Sequence, residues 1–510
     1  MTGWRKSPET LAAIIALAMF VSLLPGLSGC SLNDGTFSRV IDTLQYGGSY
    51  PLSEEAEIEA ERFDAVVSQY ASLQNNVQLK HFRDVFRRVR HNYVNELNDA
   101  ALVDSAIQGI MEFEFEGELG TLSGQEVVEA GLDSMLVSLD PHSSYMNQKE
   151  FAESQISTRG QFGGLGIEIT LDNEIIKVVS PIEGTPADRA GILAGDLITH
   201  VDGDDIRGKG LHHAVDRMRG EPGSFVVVTI ERAGIPPFDV ALERAIIKVQ
   251  AVRWHLEGDI GYVRVTRFSE RVEPGIVQAM NNIHAKLGNR LSGIVLDLRN
   301  NPGGLLDQSL ILADAFLEDG KIVSIKGREA DSERIHSASP GDMASGMPMV
   351  VLINGGSASA SEIVAGALQG HGRALIMGSR SFGKGSVQTI TPLPVEGALR
   401  LTTSLYYAPS GQVIQARGII PDIVLKGEEE SDQSEIKREA DLPHSLSGAD
   451  LNVLKTAPVV LSQTCKTEMK TEEEVNAEAD TDTELACALM FLRSGSSSAF
   501  LSSVSLQPNS

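Results

Sequence analysis

The sequence predicts a multidomain α+β protein, and three observations carry that expectation. Its 510 residues are enough for two to four domains at roughly 100 to 200 residues each. Apolar residues recur at three- and four-residue steps from Ala56 to about Val137, then at two-residue steps or in short unbroken runs further on, so helices precede a strand-rich region. The composition, 42% hydrophobic and 22% charged, is that of a globular chain. In order, the pattern divides into a targeting segment at 1–30, a helical region at 31–150, a small strand-rich unit at 155–245, an α/β core at 250–426 and an acidic, partly disordered extension at 427–510.

The targeting segment opens with Arg5 and Lys6, followed by an apolar run from Leu11 to Leu24. That run is short for a membrane span and suits a secretory signal. It ends in Leu27-Ser28-Gly29-Cys30, which resembles the bacterial lipobox; Cys30 is therefore the expected lipidation site and the first residue of the mature chain. An ordinary signal peptide with a chance cysteine is the alternative. Buried acyl methylenes contribute about 0.8 kcal/mol each, so the lipid anchors the protein despite a net charge of −26. That charge itself argues against nucleic acid or polybasic membrane docking. The expected location is the bacterial cell envelope, on the periplasmic side, with Ser31 favouring the outer membrane. Two further cysteines remain, Cys465 and Cys487. In an oxidising compartment they can pair, or they can stay as separate buried thiols, and spacing does not decide between these.

In the helical region Phe63, Val66, Val67, Tyr70 and Leu73, then Phe82, Val85, Phe86 and Val89, form apolar stripes. The region closes at Asp140-Pro141-His142-Ser143, where the residue before proline stops a helix; His142 is read as a turn residue. After Gly160 comes Phe162-Gly163-Gly164-Leu165-Gly166-Ile167, a glycine loop entering an alternating strand. A nucleotide site is excluded because no helix follows the glycines. The loop resembles the carboxylate-binding loop of PDZ domains, and the likeness extends through Gly184-Thr185-Pro186-Ala187, Gly195-Asp196-Leu197-Ile198 and a helix at Leu211 to Met218. It implies that Gly164, Leu165, Gly166 and Ile167 contact a peptide added as a strand.

From about Val252 strands alternate with helices: Gly261 to Phe268, Gly293 to Leu298 and Met349 to Ile353. Sites in such sheets are expected at strand ends. One strand runs into Arg299-Asn300-Asn301-Pro302-Gly303-Gly304, a turn able to aim amides into a cleft. Another runs into Asn354-Gly355-Gly356-Ser357-Ala358-Ser359-Ala360-Ser361-Glu362 and a helix whose N-terminus offers unpaired amides. A third leads to Phe382-Gly383-Lys384-Gly385-Ser386-Val387-Gln388; a lysine shielded there loses its proton readily and can accept one from a serine. Beyond Lys426 the extension holds 16 acidic and 6 basic residues and reads as solvated. Thr483 to Leu492, with Leu485, Leu489 and Leu492, is a helical stretch suited to docking back onto the fold.

Taken in order, these motifs resemble the C-terminal processing peptidases, the tail-specific serine proteases of peptidase family S41. The likeness includes Asp140-Pro141-His142-Ser143-Ser144-Tyr145 before the PDZ-like unit and Gly418-Ile419-Ile420-Pro421-Asp422 after the lysine. It implies a serine protease core related in fold to ClpP and crotonase. Ser359 would be the nucleophile, Lys384 the general base and Gln388 the residue orienting it. Amides of Ala360 and of Gly303 and Gly304 would form the oxyanion hole, with Ser357 and Ser361 in support, one near the lysine and one capping the helix. No metal, nucleotide or organic cofactor is implied.

The expected partners are unstructured substrate C-termini, an adaptor lipoprotein and further copies of the chain. A catalytically silent PDZ scaffold is the rival reading, weakened by the joint presence of Ser359, Lys384 and Gln388, which a scaffold need not keep. A crotonase-like acyl-CoA enzyme is disfavoured by export and by the lack of a basic site for the cofactor's phosphates.

Overall fold

Four helices open the structure, Glu54–Tyr70, Val77–Asn92, Asp99–Glu116 and Gly124–Val137. The structure, a computed structural model, describes residues 51–70, 77–116, 123–329, 331–425, 437–448, 459–461, 465 and 482–505. Cys30 and the lipobox lie outside the described residues. The apolar stripes meet in a buried cluster: Phe63 stacks on Phe82, and Val85, Phe86, Val89, Leu132 and Met135 are fully enclosed. Ser123 caps the fourth helix reciprocally with Glu126, satisfying amides that a helix start leaves open.

The chain then touches the α/β core before leaving it. Strand Ser144–Met146 pairs antiparallel with Ala398–Tyr407, Tyr145 opposite Leu399. Helix Gln148–Arg159 follows and leads into the glycine loop. The next unit is a six-stranded sheet built from Ile167–Asp172, Ile175–Pro181, Leu197–Val201, Asp204–Asp205, Phe225–Glu231 and Phe238–Glu243. Ile176, Val178, Ile198, Val201, Val226, Val228 and Ile230 fill its interior. Among the described residues, strand Ile167–Asp172 pairs only with Ile175–Pro181, and its other edge lies beside helix Gly210–Met218.

The core is a seven-stranded sheet in the order Val252–Glu257, Ile260–Val265, Gly293–Asp297, Met349–Ile353, Leu375–Gly378, Ile423–Leu425 and Val459–Leu461. Its first pair is antiparallel and the rest are parallel. A parallel sheet must be covered on both faces. Helices Val272–Leu287, Leu306–Asp314 and Ala360–Gly370 pack on one face, against Ile294, Leu296, Val351 and Ile353. The alternate residues Val295, Val350, Leu352 and Met377 point the other way, where they meet Ala488, Leu489, Leu492 and Phe500.

The extension from 427 onward supplies the seventh strand and, with helix Thr483–Ser494, the cover of an apolar face that the crossover helices leave bare. Leu489 and Leu492 do dock back, as their spacing suggested. Cys465 and Cys487 are joined by a disulfide inside that same apolar cluster. A second sheet joins Ser144–Met146, Ala398–Tyr407, Lys321–Lys326, Arg334–Ser337 and Ser386–Pro392, and it carries the segment that follows Lys384.

Candidate active site

The site forms where three strand ends of the core sheet release their loops. Met349–Ile353 ends in a turn braced by its own side chains: Ser357 Oγ donates to the carbonyl of Leu298 at 2.8 Å and the Asn354 amide donates to Ser357 Oγ at 3.0 Å. Ser361 Oγ donates to the carbonyl of Asn301 at 2.9 Å. Both flanking serines therefore tie this turn to the segment 298–301; the expectation that one lies near the lysine and one caps the helix gives way to this bracing role. The middle serine, Ser359, sits at the helix start with φ 54° and ψ −111°. A side-chain-bearing residue there costs about 1–3 kcal/mol, a strain retained where the surroundings dictate it.

Those surroundings are Gly303 and Glu362. A Cβ on Gly303 would fall 2.8 Å from the Ala358 carbonyl, 2.9 Å from Ser359 Cβ and 3.0 Å from the Ala360 nitrogen, so only glycine lets the two turns close on each other. Its φ of 96° also excludes other residues. Gly303 however donates its N–H to Asn301 Oδ1 at 2.9 Å. That amide is spent inside the turn, against its expected use as an oxyanion donor. Ala360 is the first helical residue, a position whose N–H has no acceptor within its helix.

Glu362 was missed in the sequence, although Ser359-x-x-Glu362 has the spacing of a capping box. It is fully buried. Its Oε2 accepts from the Ser359 amide at 2.7 Å and from the Lys384 amide at 2.9 Å. Its Oε1 accepts from the Gly383 amide at 2.7 Å and from Ser381 Oγ at 2.5 Å. One carboxylate thus gathers the backbones of the expected nucleophile and base. Burial pushes its acid up to about 7, against the pull of these four donors.

Lys384 is part-buried, and desolvation holds its ammonium below the usual lysine range; Arg400 adds to this while Glu439, Asp140 and Glu362 oppose it. Of its flanking glycines, Gly385 is a steric requirement, since a Cβ there would lie 2.1 Å from the Gln415 nitrogen, and Gly383 holds a φ of 102°. Gln388 sits at a register shift after Val387 in strand Ser386–Pro392, a bulge that re-aims a side chain. Its Nε2 donates to Ser386 Oγ at 3.0 Å and to Thr402 Oγ1 at 3.2 Å. Thr402 Oγ1 in turn donates to Asp140 Oδ1 at 2.9 Å. The Asp140-Pro141 turn, read in the sequence as a helix stop, therefore reaches the site from 262 residues away.

In the small unit, Gly164 pairs with Ala245 in a two-stranded ladder with Ala245–Lys248. Leu165 is buried. Gly166 has φ 77° and accepts, at its carbonyl, the Ile182 amide and Thr185 Oγ1. Ile167 opens strand Ile167–Asp172.

Residues 259–425 match peptidase family S41, and residues 177–232 match the PDZ domain. A carboxy-terminal-processing protease of Bartonella bacilliformis is 51% identical over 351 residues, covering 68% of this chain and 75% of that protein. The chain belongs to peptidase family S41. It is a C-terminal processing protease with a PDZ domain. A probable CtpA-like serine protease of Staphylococcus aureus is 36% identical over 305 residues, 59% of this chain and 61% of that protein. Among solved structures, a photosystem II D1 C-terminal processing protease aligns at 29% identity over 72% of this peptidase and 98% of that chain, with a TM-score of 0.41.

Proposed function

We propose that this peptidase is a periplasmic, lipid-anchored endopeptidase that cleaves envelope proteins by a Ser359–Lys384 dyad assisted by Gln388. The observation that carries the reading is the shared acceptor Glu362 Oε2, on which the amides of Ser359 and Lys384 converge. The PDZ unit takes the substrate's free C-terminus as an added strand along Ile167–Asp172, with the Leu165–Ile167 loop at the carboxylate. Ser359 Oγ attacks the scissile carbonyl carbon as the neutral Lys384 amine takes its proton. Gln388 Oε1 accepts from that amine and holds it on line, while its own Nε2 is held by Ser386 and Thr402. The tetrahedral oxyanion is received by the Ala360 and Gly304 amides. The lysine ammonium then protonates the leaving amine, and water repeats the sequence on the acyl-enzyme.

Anchoring at the outer membrane through Cys30, an adaptor lipoprotein and self-association complete the proposal. The test is cleavage of an unfolded protein with an apolar C-terminus by the form lacking residues 1–30, beside Ser359→Ala and Lys384→Ala. Both variants should lose turnover and keep peptide binding. Turnover retained by either would overturn the dyad. Labelling with a fatty acid, lost in Cys30→Ser, tests the anchor.

A further inference from the structure

The loop that bears Lys384 is held from behind by a part of the C-terminal extension that neither the motifs nor the reaction assigns. Residues 437–448 lie against it. Arg438 Nη1 donates to the carbonyls of Arg380 and Ser381 at 2.8 and 2.9 Å, and the Glu439 amide donates to the Phe382 carbonyl at 3.2 Å. Glu439 is fully buried. Its Oε1 accepts from Gln415 Nε2 at 2.8 Å, and Gln415 Oε1 accepts the Gly385 amide at 2.9 Å. Its Oε2 meets His142 Nε2 at 2.8 Å. A buried carboxylate needs such partners, yet two of them, Gln415 and His142, are neutral or titratable groups where an arginine would neutralise it outright.

We propose that Glu439 is a positioning residue for the base: joined through Gln415 to the Gly385 amide and through His142 to the Asp140-Pro141 turn, it fixes the Lys384 loop and sets the field at its amine. This rests on the assignment of Lys384 as base. Among the charges acting on Lys384, Glu439 has the largest effect, opposing desolvation together with Asp140 and Glu362, while Arg400 acts with desolvation. The balance has a chemical purpose. Burial alone lowers a lysine until it holds a proton poorly, whereas a general base works best with its affinity close to the operating pH. A carboxylate supplied by the extension restores part of that affinity without occupying the amine's own contacts. His142, read in the sequence as a turn residue, is by this assignment a support of the carboxylate.

Glu439→Gln tests the proposal, because it keeps the shape and can keep both contacts while removing the charge. The acid limb of kcat/KM should move down by about one pH unit, with the plateau changed less than about threefold. Glu362 titrates in the same range, so the deciding measurement is direct: competitive acetylation of Lys384 by trace acetic anhydride across pH, in the Ser359→Ala background with and without Glu439→Gln. The labelling midpoint should fall with the same sign. The exchange Glu439→Gln with Gln415→Glu returns one carboxylate and one amide to the same contact and should restore the midpoint. An unchanged midpoint in Glu439→Gln, or an equal loss of rate at every pH with no rescue by the exchange, overturns the proposal. If Lys384→Ala still turns over, the base assignment fails instead, a separate outcome.

Discussion

Replacing Glu362 by Gln separates what this buried acid does for catalysis from what it does for stability. Its four contacts are all made by donors. A carboxylate accepts at both oxygens, but an amide offers one oxygen and one NH2, so at one end N–H faces N–H. A buried donor left unpaired costs about 1–3 kcal/mol. If about 2 kcal/mol of that falls on the Ser359 and Lys384 amides, kcat drops about 30-fold, with KM little changed because the PDZ groove is untouched.

Stability should move the other way. The acid lies at about 7 in the folded protein against an ordinary 4.5. A raised value means its contribution is full below pH 4.5 and is lost as pH rises through 7. The shift corresponds to about 3 kcal/mol, so denaturant melts from pH 4.5 to 7.5 should show the variant gaining on the wild type by about that much. Wild-type kcat at pH 8, or parallel stability curves, would refute the reasoning.

Three other outcomes follow from the same contacts. Gly303→Ala forces a Cβ within 3.0 Å of three atoms of the Ser359 turn and should cut kcat by a hundredfold or more, about 2.7 kcal/mol or above, while a peptide ending in a free carboxylate still binds, as read by fluorescence anisotropy. Gly166→Ala meets Thr185 at 2.3 Å from a positive φ; it should weaken that binding and raise KM for tailed substrates, with turnover of short untailed peptides unaltered. Leu489→Ala, on the covering helix, should lower stability by about 2–5 kcal/mol, and reduction of the Cys465–Cys487 bond, which spans 22 residues, by about 3 kcal/mol, both read as shifts of the denaturation midpoint.

The strands, the glycine loop and the order of the three site motifs are legible in the sequence because each depends on neighbours in the chain. Apolar runs such as 294–296 and Met349–Ile353 declare strands buried on both faces, and motifs of a few residues each nominate Ser359, Lys384 and Gln388. What covers the second face is another matter. An acidic extension hides one apolar helix, and only the bare side of a sheet whose crossover helices all fall on the other face shows why Thr483–Ser494 must return.

The site's electrostatics were likewise decided in three dimensions. Glu362 lies 22 residues from Lys384 and His142 lies 297 from Glu439, separations across which no periodicity carries information. Gly303 looks like an oxyanion donor in sequence, and only the folded turn reveals its amide engaged by Asn301. Local propensity and pattern specify which elements form, whereas the field around a buried amine depends on which distant charges the packing brings to it.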